Sequence, residues 1–252
     1  MAGHSKWANV KHRKARADAQ KGKIFTKIAR EITVAAKEGG GDLDANFRLR
    51  LAVQKAREAN LPNDNITRAI QRGLGELEGA ELEQVTYEGY GPGGIAVLID
   101  IMTDNRNRTA PEIRHIFSRR GGNMGESGCV AWMFKRKGYF TLEKQKSLPS
   151  EDDLMTIALE NGADDFQEED NSYVIITPPE EFENMRDAFR EREIEFSTAE
   201  VTMVPENTIF LDDAEEAAKV LGLLEALEEH DDVQNVYANF DIPDELMQSL
   251  EN

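Results

Sequence analysis

The sequence predicts an α+β fold: an N-terminal three-helix domain followed by two α/β sandwich (ferredoxin-like) domains, the third inserted in the second. Three observations predict it. Apolar residues recur at helical spacing as far as residue 73. After Gly79 the pattern changes to short alternating strands punctuated by glycine. The stretch after residue 135 then runs strand, helix, strand, strand, helix, strand, the split βαβ order. A chain of 252 residues, 40% hydrophobic and 31% charged, has material for two or three small cores.

Taken in order, Ile24, Phe25, Ile28, Ile32 and Ala35 form one apolar stripe, with Lys23, Lys27, Arg30 and Lys37 on a second face. Gly39-Gly-Gly41 breaks this helix, and Asp42 or Asp44 is placed to cap the next. There Leu49, Ala52, Val53, Ala56 and Ala59 are the buried positions, ending at Asn60-Leu-Pro62. A third helix, capped by Asn63 or Asp64, carries Ile66, Ala69 and Ile70 and stops at Gly73 or Gly75. Residues 1–22 offer only Trp7 and Val10 for burial and are expected to order on binding.

Val85–Tyr90 alternates as a half-buried strand, Gly91–Gly94 turns, and Ile95–Ile101 returns as an apolar strand. A helix opening at 104–111 and holding Ile113, Ile116 and Phe117 follows, then a glycine-rich loop and the strand-like Cys129–Phe134. Strands are expected at Gly138–Thr141, Asp164–Glu168, Tyr173–Thr177 and Phe196–Val204, with helices over 150–161 and Pro179–Glu193. Thr208–Leu211, a helix over 213–229 and a strand over Val233–Phe240 supply what the interrupted second domain lacks. The expected domains are 1–79, 80–134 with 205–242, and an acidic insertion over 135–204.

The formal charge of −18 conceals a segregation. Residues 1–30 sum to +8, 31–76 to zero, 77–103 to −5, 104–146 to +6 and 147–252 to −27. Two basic regions therefore sit on a chain whose remainder repels polyanions, a pointer to nucleic-acid contact. The first holds Lys6, Lys11, Arg13, Lys14, Arg16, Lys21, Lys23, Lys27 and Arg30, with Trp7 and His12 interleaved to stack on unpaired bases. The alternative is a solvated arm with Trp7 tucked into the bundle.

The second basic region brackets one helix with Asp104-Asn-Arg-Asn-Arg108 and Ser118–Gly128. Turns rich in glycine and asparagine can aim backbone N–H groups at an anion, with Arg106, Arg108, Arg119 and Arg120 supplying charge. The same residues also fit a capped helix start and a left-handed turn with exposed arginines. Gly89–Gly94 is a hairpin turn rather than a phosphate loop, since no Gly-Lys-Ser/Thr follows.

Signals for catalysis are weak. His4, His12, His115 and His230 lack metal-ligand spacing, and Cys129, the single cysteine, excludes an internal disulfide and a cysteine zinc site. Cys129 sits in an apolar segment and is expected in the core. Acidic runs such as Glu228-Glu-His-Asp-Asp232 have the composition of solvated faces. No apolar run reaches membrane-spanning length, and the opening residues lack the apolar stretch of a secretory signal, so a cytoplasmic protein is expected. No cofactor, metal or small-molecule substrate is expected.

Gly3-His-Ser-Lys-Trp-Ala-Asn-Val-Lys-His-Arg-Lys14 and Gly22–Lys27 resemble the start of the YebC/PmpR family. Tyr87–Gly94, Thr103-Asp-Asn-Arg-Asn-Arg-Thr109 and Gly121–Gly125 through Trp132-Met-Phe134 are similar to its middle motifs. The resemblance implies three domains with the third inserted in the second, in a cytoplasmic protein. Members carry the label of probable transcriptional regulatory proteins. Some are described as DNA-binding repressors, and others, including the mitochondrial translational activator of cytochrome c oxidase subunit I, are tied to ribosomes. The expected function is a non-enzymatic regulator of gene expression, acting on DNA or on RNA at the ribosome. The alternatives are a protein–protein adaptor working through the acidic α/β domain and, more distantly, a phosphate-ester hydrolase using the Gly/Arg loops.

Overall fold

The computed structural model describes the backbone of residues 18–79, 81–145, 147–169 and 171–250. Of these, 18–131 and 213–238 form one compact unit, and 132–212 with 239–250 form another. The first unit opens with three helices: α1 over Asp18–Gly39, α2 over Phe47–Glu58 and α3 over Asn63–Gly73. Their apolar stripes meet in one cluster of Ile28, Ile32, Ala35, Leu49, Ala52, Val53, Ala56, Leu61, Ile66 and Ala69, with Ile24, Phe25, Ala59 and Ala36 also packed there. The small residues let the axes approach closely, and the buried Thr33 hydroxyl lies 3.1 Å from the Ala69 carbonyl on α3.

The helix caps differ from the sequence expectation. Neither Asp42 nor Asp44 caps α2: the Asp42 carboxylate accepts from the Asp44 N–H in a turn of its own. Asn46 caps instead, accepting from the Leu49 N–H at 3.0 Å while its amide donates to the Ala35 and Gly40 carbonyls. One side chain thus ends α1 and starts α2. The second helix ends on Asn60, held left-handed at φ +61°, with Leu61 N–H returning to the Ala56 carbonyl. Before α3 the cap is Pro62, which has no side-chain bond to offer, and Asn63 and Asp64 lie inside the first turn.

Strand β1 (Glu83–Tyr90) pairs antiparallel with β2 (Ala96–Thr103) around a short 3₁₀ turn at Pro92–Gly94. Helix α4 (Arg106–Arg119) follows, then the two-residue β3 (Asn123–Met124), which flanks β1. The predicted strand over Cys129–Phe134 is a loop and a 3₁₀ turn at Ala131–Met133, because the N–H groups of Gly128, Val130 and Ala131 are bonded to the Glu88 carboxylate and unavailable to a ladder. After the other unit, the chain returns with α7 (Ala214–Glu228) and β9 (Val233–Ala238), which completes the sheet in the order β3-β1-β2-β9. Gly89 runs so close under α4 that a Cβ there would lie 2.9 Å from the Phe117 ring.

In the second unit β4 (Phe134–Glu143), α5 (Glu151–Glu160), β5 (Asp165–Glu168), β6 (Ser172–Thr177), α6 (Phe182–Glu191) and β7 (Thr198–Pro205) build an antiparallel sheet ordered β5-β6-β4-β7. Strand β4 is longer than expected, absorbing the residues before Gly138 by pairing Phe134 with Pro205. Phe140 anchors the core, stacked on Phe182 at 4.9 Å and edge-on to Phe189 and Phe196. The strand predicted over Val233–Phe240 divides at Asn239: β10 (Phe240–Asp241) leaves β9 to pair in parallel with β8 (Ile209–Phe210). A last helix, α8 (Asp244–Leu250), lies beyond the elements expected from the sequence. Among the described residues no helix is long and apolar enough to cross a membrane.

Gly73 tests the bundle. A Cβ there would press on the Thr33 carbonyl oxygen and lie 2.8 Å from the Ala36 methyl, whereas one at Gly22, on α1, meets nothing within 4 Å. Gly73→Ala is expected to cost about 1–3 kcal/mol through forced separation of α1 and α3. Gly22→Ala should be neutral or stabilising by up to about 1 kcal/mol. Thermal melts of both variants check this, and equal melting temperatures would refute the close approach.

Candidate nucleic-acid interface

Lys6, Trp7, Lys11, His12, Arg13, Lys14 and Arg16 lie outside the described residues, as does the side chain of Lys21. The three further cations of that basic stretch turn toward the protein itself. Lys23 donates to the Glu229 carbonyl at 3.1 Å and Lys27 to the Glu228 carbonyl at 2.8 Å. Both carbonyls belong to the last turn and cap of α7, where unpaired C=O groups carry partial negative charge. Arg30 reaches the Asp231 carbonyl at 2.6 Å, the Met102 carbonyl at 3.3 Å and Asp232 Oδ1 at 3.0 Å.

Asp232 is the point on which four segments converge. It is 2% exposed, although its acidic run has the composition of a solvated face. Its Oδ2 accepts from Arg108 Nη2 and Thr109 Oγ1, both at 2.7 Å, and from Thr103 Oγ1 at 3.0 Å. Burial alone would push this carboxyl up, but the hydrogen bonds from Thr109, Arg108 and Thr103 and the charge of Arg30 outweigh it, holding it at about 2. His230 Nδ1 accepts from the Asp232 N–H, so its other nitrogen carries the proton and donates to Glu112 at 2.9 Å. Asn105 caps α4 by accepting from the Arg108 N–H, and Thr103 Oγ1 accepts from the Asn105 N–H. Within Thr103–Thr109, then, Thr103, Asn105, Arg108 and Thr109 are internal wiring, and Arg106 and Asn107 are left exposed.

The glycine-rich loop after α4 does surround an anion, and the anion is the protein's own. Glu88, 4% exposed, accepts from the Gly128 N–H at 2.6 Å and from the Val130 and Ala131 N–H groups at 2.7 Å. Burial works to raise this carboxyl, and the three N–H groups together bring it below its ordinary value. Gly122 and Gly125 N–H donate to the Phe117 and Glu88 carbonyls. An incoming phosphate would find these five donors occupied. Cys129 sits half-buried in this loop rather than in a core strand, and burial followed by the Glu88 charge pushes its thiol up, away from the nucleophilic form.

What stays outward on α4 is a set of guanidiniums. Arg106 has only an exposed 3.8 Å pairing with Glu83, and Arg114, Arg119 and Arg120 form no ion pair with a described residue. Two open clefts flank the helix. One, of about 640 Å³, gathers Lys23, Arg30 and Arg108 but also Asp104, Glu112, Glu229, Asp231 and Asp232, a poor welcome for phosphate. The other, of about 650 Å³, contains Arg106 and Arg114 beside Tyr87. Among the described residues no cluster of three His, Cys, Asp or Glu could hold a metal ion.

Sequence reasoning missed Glu88, Asp232 and Arg114. Glu88 left one trace, an acid in a strand that otherwise alternates as half-buried, on the same face as Thr86 and Tyr90. Asp232 left none, because three other acids and a histidine surround it within residues 228–232 and periodicity does not separate them.

A family model described as the TACO1/YebC protein N-terminal domain matches residues 5–76, and one described as the TACO1/YebC second and third domain matches residues 82–240. A protein of Natranaerobius thermophilus named probable transcriptional regulatory protein is 59% identical over 250 residues, 99% of this chain and 100% of its own. One of the same name from Halothermothrix orenii is 58% identical over 250 residues, 99% of each chain. The crystal structure of a conserved hypothetical protein from Aquifex aeolicus superposes with a TM-score of 0.79 at 47% identity, covering 91% of this chain and 94% of that one.

The depressed Asp232 carboxyl makes a stability statement. The unfolded chain binds this proton more readily than the folded one, so the stabilisation is complete above pH 4 or so and is lost as pH falls toward 2. It amounts to about 2 kcal/mol. Asp232→Asn, which strands Arg30 and Arg108, is expected to lose about 2–4 kcal/mol at pH 7. Denaturant titrations at several pH values should show the two chains converging below pH 4, and a gap that stays constant down to pH 2.5 would refute the assignment.

Proposed function

The chain belongs to the TACO1/YebC family, and on that premise we propose that it is a non-enzymatic, nucleic-acid-binding regulator of gene expression, acting on DNA or on RNA at the ribosome. The observation that carries the reading is the division of its cations. Lys23, Lys27 and Arg30 of α1, with Arg108, are committed to Asp232 and the end of α7, whereas Arg106, Arg114, Arg119 and Arg120 remain at the surface of α4. The sequence adds Lys6, Lys11, Arg13, Lys14, Arg16 and Lys21, so the polyanion-binding residues are this arm with Trp7 and His12, joined by the α4 arginines. Lys23, Lys27 and Arg30 serve chiefly to seat α1. The relatives' name, probable transcriptional regulatory protein, supports a regulatory role. Catalysis finds little support, since the two most buried carboxylates described above accept internal hydrogen bonds and the one thiol is pushed up.

The adaptor reading has one observation in its favour: α5, whose first turn carries Glu151, Asp152 and Asp153, exposes Met155 and Leu159 one turn apart.

A salt titration separates the two. If five arm cations contact single-stranded phosphates, log K should fall with log salt at a slope of roughly −3.5, about a hundredfold in affinity between 50 and 200 mM. Removing residues 1–17 deletes Lys6, Lys11, Arg13, Lys14 and Arg16 and leaves the described α1 intact. The slope should then fall by more than half with the circular dichroism preserved. A shortened chain that binds DNA, RNA and ribosomes with the native slope would refute the role of the arm and favour the adaptor.

A further inference from the structure

Resting on that reading, we propose that the cleft between Tyr87 and α4 takes an unpaired base of a single-stranded nucleic acid, stacked on the Tyr87 ring with its phosphates against Arg106 and Arg114. The cleft holds about 650 Å³, within the range of small-ligand sites. Its floor is set by β1, where Tyr87 pairs with Ile99 of β2, and its wall by α4. Tyr87 is half-buried on β1 and lines the cleft. Met124, on the short β3, supplies a second apolar contact.

The chemistry of the lining favours a nucleotide. Arg114 forms no ion pair with a described residue, and the Arg106–Glu83 pairing at 3.8 Å joins two exposed side chains, so little is lost when Arg106 turns to a phosphate. The two arginines are eight residues apart on α4, about 12 Å along its axis, so a strand bound to both follows the helix. Asn107, exposed beside them, offers amide donors and an acceptor to a base edge. Two acids also line the cleft. Asp104 is paired with Arg108 at 3.1 Å, and Glu83 is freed when Arg106 moves, leaving an acceptor for a base amino group. A duplex does not fit this site, because its bases are stacked away from any aromatic ring and α4 packs against its own sheet.

The test uses the full chain in fluorescence-anisotropy titrations with a labelled single-stranded RNA of mixed sequence, the DNA of the same sequence, and the corresponding duplexes. Tyr87→Leu is expected to weaken single-strand binding roughly tenfold and leave duplex binding unchanged, whereas Tyr87→Phe, which keeps the ring, should bind as the native chain does. Arg114→Gln, at an exposed position, should lower the salt slope for single strands by about 0.7, and it decides the matter if Tyr87→Leu fails to fold by circular dichroism. The RNA and DNA arms tell which strand the cleft takes. A folded Tyr87→Leu chain that binds single strands at native strength, or an unchanged slope in Arg114→Gln, overturns the cleft and leaves the broader nucleic-acid reading in place. A native chain that binds neither strand nor duplex overturns that reading and the cleft with it.

Discussion

The first unit is organised around the need to satisfy one buried negative charge. Asp232 sits in the turn between α7 and β9, and a carboxylate so buried is tolerated only if its oxygens are matched by donors. The donors come from α1 (Arg30), the end of β2 (Thr103) and the first turn of α4 (Arg108 and Thr109). Each of those segments is thereby pinned to the others. The helical bundle does not rest on the sheet by apolar contact alone. It is located by a charge-assisted network, backed by two lysines on the carbonyls at the end of α7. Such a network fixes geometry more surely than it adds stability, since the cost of desolvating Asp232 offsets much of the attraction.

Glu88 applies the same logic to a loop. Five donors that a phosphate might have used are turned inward, three onto the Glu88 carboxylate and two onto backbone carbonyls, so the glycine-rich segment is rigid internal structure rather than an open cradle. Together the two carboxylates decide which polar groups are left for a partner. Among the groups that stay available are the guanidiniums along α4 and the half-buried Tyr87.

The architecture was largely legible because it follows periodicity. The stripes of α1 to α3, the hairpin of β1 and β2 and the split βαβ order of the second sheet all arise from burial, which leaves a pattern at fixed spacing. The errors cluster where single side chains overrule pattern. Asn46 displaces two aspartates as the α2 cap because it can also reach the end of α1. Glu88 removes a strand that composition suggested, and the hydrogen bonding of Asp232 recruits two arginines, Arg30 and Arg108, that charge alone suggested for a polyanion. The carboxylate contacts of Glu88 and Asp232 span 40 to 202 residues, and no local window contains both partners.

The long span between Arg30 and Asp232 has a consequence for biosynthesis. A chain made from its N-terminus completes α1, the β1–β2 hairpin and the whole β4–β7 sheet before β9 exists, and Val97 must wait for Ala238. Contacts this distant in sequence form slowly, after the loop between them is closed. Until then Lys23, Lys27 and Arg30 have no carbonyls or carboxylate to meet. The nascent molecule therefore carries unpaired cations that the finished one engages internally, and an unfinished chain and a mature one would be sorted differently by any polyanion nearby.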